Sequence, residues 1–522
     1  MNAELNPPAP WRFGLAASGA ASVSALLVVV ANGHPAAVVA VPLVILLAYG
    51  IAAAPLRILA AVFVTAGLLF EDTRARPFMD IWDPPTFVPG KFLYDGLEKT
   101  LGVPGLKIFG IEAIFLVLVV VLSGALALGR VRTPRPARPL LQAAGIGAVA
   151  CIALELWGIA RGGNVRFSML QFRPILFTSA TAILFAYSFS TRRDARLIIN
   201  IILVVGMVRA LMGIYFWRFI LAKTQLSEQE IGGGSYVTTH ADTILWVVGL
   251  MACLMALFTR PSAQTWALNL TVSPILMFAV IINNRRLAFV ALALSVVAMY
   301  AIGKSVLRMR MKRAVTYSLP FLLIYGVAAW SANGVWAKPV QSIKTILWNA
   351  DSSADMREIE NYNLVVTAKR NPIIGMGFGH EYIEEVRAHD ITNFLEAYRY
   401  LPHNSLLWLM GVAGVVGFCL IWMLLAVAVF LAVRVYRAAD SPTDEVAAVA
   451  AITSVIAYAI LCFGDIGVVS WMNILVFTLF AGLMGGRATA IGAWPSSRTT
   501  TVRPNSHHAA LVRRPRSART AG

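Results

Sequence analysis

The sequence predicts an all-α protein: a polytopic transmembrane helical bundle of about fourteen spans, with a large, partly helical loop between the late spans. Three observations predict it. Of 522 residues, 58% are hydrophobic and only 13% are charged, a balance that a soluble globular chain does not carry. Apolar runs of about 17–25 residues recur along nearly the whole length, which is what a helix needs to cross a hydrocarbon core of roughly 30 Å. Basic residues collect in the short connectors between these runs, as insertion into a bilayer favours. That pattern accounts for the net charge of +18 without invoking nucleic acid.

The expected spans are 13–32, 36–54, 56–71, 108–129, 139–159, 174–190, 197–218, 241–258, 266–283, 287–303, 315–331, 404–433, 446–464 and 467–485. The polar start "MNAELNPPAPWR" runs into the first apolar stretch without a small-residue cleavage site, so the first span reads as retained. The connectors "GRVRTPRPAR" (129–138), "TRRDAR" (191–196), "KSVLRMRMKR" (304–313) and "RVYR" (434–437) are strongly basic and belong in the cytoplasm. Alternation then puts both termini inside and leaves 72–107, 160–173, 219–240, 332–403 and the turn 284–286 outside. The expected organisation is helices 1–11 over 1–331, a large periplasmic loop over 332–403, helices 12–14 over 404–486, and a disordered basic cytoplasmic tail over 487–522. His507 and His508 in that tail carry no metal expectation, and no internal repeat divides the chain into halves. Cys151, Cys253, Cys419 and Cys462 all fall in apolar runs without disulfide or metal spacing, which predicts buried small hydrophobes.

Two adjacent arginines, Arg285 and Arg286 in "INNRRLAFV" (282–290), stand in the short outer turn, where the positive-inside rule does not expect them. An arginine at the centre of a span costs about 2.5–3.5 kcal/mol on insertion scales, and less at the rim, where it can snorkel. Snorkelling anchors are one reading. An anion site at the outer leaflet is the other, because guanidinium forks match phosphate oxygens bidentately. Further candidates are Arg357, Lys369 and Arg370 in the large loop, and Glu155, Asp242 and Asp465 near span ends. Each of these acids could equally cap a helix or pair with an arginine. His34 ("NGHP") and His240 ("VTTHAD") sit in turn-like contexts and are left outside the site.

The segment 332–403, with Trp336 and Trp348, is too long for a turn, and long loops with their own structure tend to be functional. Within it, "NLVVTAKRNP" (363–372) reads as an amphipathic helix stopped before Pro372. "GMGFG" (375–379) reads as a glycine turn that could bring backbone amides to a phosphate. The loop ends in "LPHNSLLWLMGVAGVVGF" (401–418), where Pro402 cannot continue a helix and His403 and Asn404 open the next one. Gly411, Gly414 and Gly417 recur every three residues, which predicts close approach of another helix. His403 either caps its helix or accepts a proton from an attacking hydroxyl.

In these motifs and their order, the chain resembles the O-antigen ligase and polymerase superfamily of bacterial envelope glycosyltransferases. His403-Asn404, nine residues, then Gly414-Val415-Val416-Gly417 is similar to that family's His, small polar residue, nine arbitrary residues and Gly-x-x-Gly. "MREIENYNLVVTAKRNPIIGMGFG" (356–379) resembles its Arg, helix and Pro-Gly-x-Gly turn, through Arg357, Pro372, Gly375 and Gly377. "NNRRLAFVAL" (283–292) resembles its Ser-Arg-Gly-Ala-type helix start, although Asn284 and Leu287 replace small residues, so either Arg285 or Arg286 can align. The resemblance covers about 280–435, and the chain is longer than the ligases it resembles.

The resemblance implies a glycan donor on undecaprenyl pyrophosphate, held at the periplasmic face of the bacterial inner membrane, and an acceptor hydroxyl that attacks the anomeric carbon with inversion. It implies no cofactor and no metal. Arg285, Arg286 and Arg357 would hold the pyrophosphate, each charge-assisted hydrogen bond contributing about 1.5–3 kcal/mol, and His403 would orient or deprotonate the acceptor. The acceptor would be lipid A core in a ligase, or another lipid-linked repeat in an O-antigen or exopolysaccharide polymerase. The implied partners are thus lipid-linked glycan, acceptor glycan and the bilayer. A multi-span transporter or a lipid-linked oligosaccharide flippase is the rival class. Against it stand the absence of repeat halves and the connector "AAAPLR" (52–57), which lacks the charged signature of major facilitator carriers.

Overall fold

The computed structural model describes residues 10–30, 45, 49–50, 53–71, 82–96, 108–127, 134–223, 237–332, 334–348, 352–387 and 396–495. Among them the regular elements are helical and no strand occurs. In chain order the helices are α1 (Pro10–Val30), α2 (Leu56–Leu69), α3 (Phe87–Tyr94), α4 (Gly110–Ala127), α5 (Arg138–Ala160), α6 (Val165–Ser188), α7 (Arg192–Tyr215) and α8 (His240–Thr259). They continue with α9 (Ala263–Asn283), α10 (Arg286–Ile302), α11 (Ser305–Trp330), α12 (Lys338–Trp348), α13 (Ser352–Arg370), α14 (Ser405–Ala438), α15 (Pro442–Gly464) and α16 (Trp471–Ala490). Nine helices among the described residues, α4 to α9 and α14 to α16, are long and apolar enough to cross a membrane; α2 and α10 are shorter apolar helices. The chain is an all-α polytopic membrane protein.

Of the expected spans, 36–54 lies largely outside the described residues, as do His34, most of the connector 72–107, and the tail beyond 495. The others coincide with helices, the span at 315–331 forming the second half of α11. Two boundaries move. The sixth span starts at Val165 rather than 174, so the connector 160–173 shrinks to a tight turn. Within the span's added first turns Ser168 and Gln171 are buried against protein, and Pro174 is carried inside the helix with the Thr178 hydroxyl donating to its carbonyl at 2.8 Å. The last span starts at Trp471, after a 3-10 turn at Gly467–Val469.

α16 is wrapped by other helices along its whole apolar length, and α8 and α15 nearly so. α16 packs on α6, α8 on α15, and α14 on α5 and α15. α9 and α4 instead expose most of their apolar surface, as helices facing acyl chains can at no cost. Cys419 follows the same rule. It is exposed on α14, whereas Cys151, Cys253 and Cys462 are buried as expected.

Several charged groups inside the bundle are paired with a counter-charge. At one end, Arg487 of α16 grips Asp444 of α15 through two bonds of 2.9 and 2.8 Å and donates to the Ser190 carbonyl at 2.9 Å; nearby, Lys304 meets Glu445 at 2.7 Å. The basic connectors 191–196, 304–313 and 434–437 gather at this end. The ends of α9 and α15 and the starts of α8, α10 and α14 meet at the other.

Candidate active site

Asn283 closes α9 and is fully buried. Its side-chain Oδ1 accepts from the Thr238 backbone amide at 2.8 Å and its Nδ2 donates to the Thr239 carbonyl at 3.3 Å, which ties the end of α9 to the start of α8. Asn284 then takes a left-handed conformation, φ 52°, so the chain reverses within two residues and α10 begins at Arg286. Asparagine tolerates this region better than most residues. The reversal turns Arg285 inward, leaving it 8% exposed.

Arg285 Nη1 donates to His240 Nε2, and Nη2 donates to the Thr238 carbonyl at 3.3 Å. A guanidinium has no acceptor, so the imidazole nitrogen facing it must be the unprotonated one. Asp465, just past α15, brings Oδ2 to 3.4 Å from the same nitrogen. Ser405 at the start of α14 donates to the Asp465 carbonyl at 3.1 Å, bringing His403 to this group. His403 Nδ1 lies 3.2 Å from Glu360 Oε2 of α13, and its backbone amide donates to Glu360 Oε1 at 3.2 Å. One residue on, Asn404 caps α14 by accepting from the Leu407 amide at 3.1 Å and donates to Asn361 at 3.0 Å. α13 therefore clamps the His403-Asn404 pair through adjacent side chains. Arg357, one turn before Glu360, is half-buried and close enough to act electrostatically on both His403 and His240.

The hydrogen bond to Glu360 raises the His403 pKa above its ordinary value, against burial. Burial would push the Asp465 carboxyl up; the groups around it, the Ile466 amide, His403 and Arg285 among them, hold it below the usual range. A narrow, mostly apolar slot runs from His240 and Arg285 between α8, α10 and α15, lined by Val247, Ala288, Ala291, Ile460 and Leu461 among others. The charged cluster thus sits against a closely packed apolar seam.

At Gly414 and Gly375 the glycine motif does something that neither expected use covers. α14 breaks at Gly414, where φ is 59° and ψ −176°. Four backbone bonds from the segment after α13 repair the break. Met376 and Gly377 donate to the Gly411 and Val412 carbonyls at 3.1 and 2.8 Å, while Val415 and Val416 donate to the Pro372 and Ile373 carbonyls at 2.8 and 3.1 Å. Irregular backbone inside a membrane bundle persists only when its polar groups find such partners. A Cβ on Gly414 would lie 2.4 Å from the Ile373 carbonyl, and one on Gly375, φ 79°, 2.3 Å from the Val412 oxygen. So the close neighbour of Gly414 is a loop rather than the helix expected from the three-residue spacing. Gly417 does face a helix, α5, through Leu154, and Gly411 faces Thr367 of α13. Gly377 turns with φ 86° against Gly158 at the end of α5, and Gly379 is pinned by Gln171 of α6, which also holds the Tyr400 carbonyl. These contacts set the height of α13, and with it Arg357 and Glu360.

Of the residues singled out in the sequence, Arg285, Arg357, His403, Asn404 and Asp465 converge. Arg286 opens α10 beside them and is half-buried. Asp242 and Glu155 do not join: Asp242 pairs with the fully buried Arg209, and Glu155 accepts from Ser168 at 2.7 Å. Arg370 meets Glu385 at the surface at 3.1 Å, and Lys369 is exposed. Sequence reasoning missed His240, Glu360 and Asn361. Glu360 carried a signal, standing three residues after Arg357 and so on the same helix face; His240 carried none.

No curated protein matches the chain. Residues 243–422 match the family model described as O-antigen ligase, a stretch that takes in Arg285, Arg357, Glu360, His403 and Gly414 and stops short of His240 and Asp465 on either side. Residues 243–422 thus match an O-antigen ligase domain, which supports a ligase- or polymerase-type membrane function.

Proposed function

We propose that this protein transfers a glycan from undecaprenyl pyrophosphate to an acceptor sugar hydroxyl at the periplasmic face of the inner membrane, without a metal ion and with inversion. The observation that carries the reading is the meeting of Arg285, His240 and Asp465 with Arg357 and the His403–Glu360 pair at one end of the bundle. The basic connectors lie at the opposite end, which supports a periplasmic site by the positive-inside rule.

The acceptor oxygen attacks the anomeric carbon as the bond from that carbon to the pyrophosphate oxygen breaks. Charge builds on the leaving pyrophosphate. Arg285 and Arg357, with Arg286 at the rim, neutralise it; fixed guanidinium donors in a site sheltered from water do so without reorganising. His240 accepts a hydrogen bond from Arg285 and so aims its guanidinium. Glu360 holds Nδ1 of His403, leaving Nε2 to take the acceptor's proton, the arrangement by which a carboxylate orients a catalytic imidazole.

Purified protein in detergent, given a polyprenyl-pyrophosphate glycan and acceptor, should form the glycosidic product; a transporter would not, since there is no compartment to cross. His403→Ala and Arg285→Ala should abolish product while the protein accumulates normally. Full activity in His403→Ala would remove the catalytic assignment. In a deletion strain, short lipid-linked repeats would mark a polymerase, and full-length chains not joined to core would mark a ligase.

A further inference from the structure

At the end of the bundle remote from the candidate active site, α10 and α11 diverge from a two-residue turn and enclose a cleft of about 520 Å³. Its walls are Tyr300 of α10 and Ser305, Arg308, Met309, Lys312, Arg313, Thr316 and Tyr317 of α11. These α11 residues form two neighbouring rows spaced by four, so a single helix face presents three cations, two hydroxyls and a phenol. No acidic side chain lines the cleft. The other basic residues of this connector are engaged elsewhere: Lys304 pairs with Glu445 and the Ala439 carbonyl, and Arg310 donates to the Phe258 and Thr259 carbonyls at the end of α8. Arg308 and Lys312, four apart, repel one another unless an anion sits between them.

Directly beyond the cations, α11 turns apolar and stays uncovered. Val315, Leu319, Phe321, Leu322, Ile324 and Val327 are exposed by roughly half to four-fifths of their surface. An anion-binding cleft that opens onto a bare apolar helix matches one kind of molecule, which carries a phosphate at one end and hydrocarbon at the other.

We infer that this cleft is a binding site for an anionic phospholipid, with the headgroup phosphate held by Arg308, Lys312 and Arg313 and the acyl chains lying along α11. Guanidinium and ammonium donors recognise phosphate oxygens through charge-assisted hydrogen bonds, the hydroxyls of Ser305, Thr316 and Tyr317 add neutral ones, and basic pockets between helices on the cytoplasmic side are suited to acidic headgroups. The chains would cover apolar surface that the protein itself leaves open. The site does not depend on the glycosyl-transfer reading, since no residue is shared.

The test is native mass spectrometry of the full-length protein released from nanodiscs containing equal amounts of phosphatidylglycerol and phosphatidylcholine. Phosphatidylglycerol should be retained in preference. In Arg308→Gln/Lys312→Gln/Arg313→Gln its retention should fall by at least about tenfold, whereas Arg193→Gln/Arg196→Gln/Arg437→Gln, which removes equal charge from exposed positions at the same end outside the cleft, should leave it unchanged. Inorganic phosphate at the same concentration should not displace the lipid. Equal retention of both lipids, equal loss in both variants, or displacement by inorganic phosphate would each overturn the proposal; the last would make the cleft a site for free anions.

Discussion

Replacing His240 tests the part of the site that lies outside the family match. Arg285 is 8% exposed, and the acceptors in hydrogen-bonding contact with its guanidinium include His240 Nε2 and the Thr238 carbonyl. His240→Phe keeps a ring of similar size and removes the first. A hydrogen bond to a charged group contributes about 1.5–3 kcal/mol, which converts to a loss of roughly 10- to 150-fold in kcat/KM if Arg285 must be held in place for the pyrophosphate to depart. His240→Gln puts an amide oxygen near the same position and should restore most of the activity. The assay is steady-state transfer from a polyprenyl-pyrophosphate glycan by purified protein in detergent, with thermal unfolding of each variant measured alongside. A purely structural histidine would lose stability in both variants and gain nothing from glutamine. If His240→Phe stays within about threefold of wild type, or His240→Gln is as impaired as His240→Phe, the positioning role is refuted.

Three further outcomes are expected. Because Glu360 raises the His403 pKa, transfer should rise with pH through an apparent pKa above 6.5, and Glu360→Gln should move that limb to lower pH in a pH–rate profile. The same pair contributes stability below the imidazole's unfolded pKa and loses it as pH climbs through the raised value, so the stability gap between wild type and Glu360→Gln should be wider at acidic than at alkaline pH. Gly414→Ala puts a Cβ 2.4 Å from the Ile373 carbonyl at a left-handed φ; strain of at least about 1–2 kcal/mol, before any clash, should lower the thermal midpoint and undo the loop that sets α13. Asp444→Asn leaves buried Arg487 without its counter-charge and should cost about 3–5 kcal/mol, seen as reduced accumulation, with Asp444→Asn/Arg487→Met recovering much of the loss.

The helices were legible because the bilayer imposes a length and a polarity on any segment that crosses it. That constraint is local, and it set the start of the sixth span too late: the partners that let polar Ser168 and Gln171 lie inside the helix, Glu155, Tyr400 and Gly379, come from elsewhere in the chain. The glycines at 375, 377 and 414 were legible as a motif. Their use was not, since a four-bond exchange between a loop and a broken helix leaves no periodicity in either strand of sequence.

The candidate site divides in the same way. Arg285, Arg357, His403 and Asn404 stood out by their places at the membrane rim or in the large loop and by the motifs they belong to, although snorkelling or helix capping accounts equally for some of them. His240 sits in an ordinary helix start, and the candidate beside it, Asp242, turns instead to Arg209. Only the two-residue reversal at Asn283 and Asn284 turns Arg285 onto it, and only the end of α15 supplies Asp465. The residue types and their order along the chain thus gave the fold class and most of the polar candidates. Which cation faces which acceptor was decided by helix ends meeting in space, because hydrogen bonds depend on distances of a few ångströms between segments tens to hundreds of residues apart.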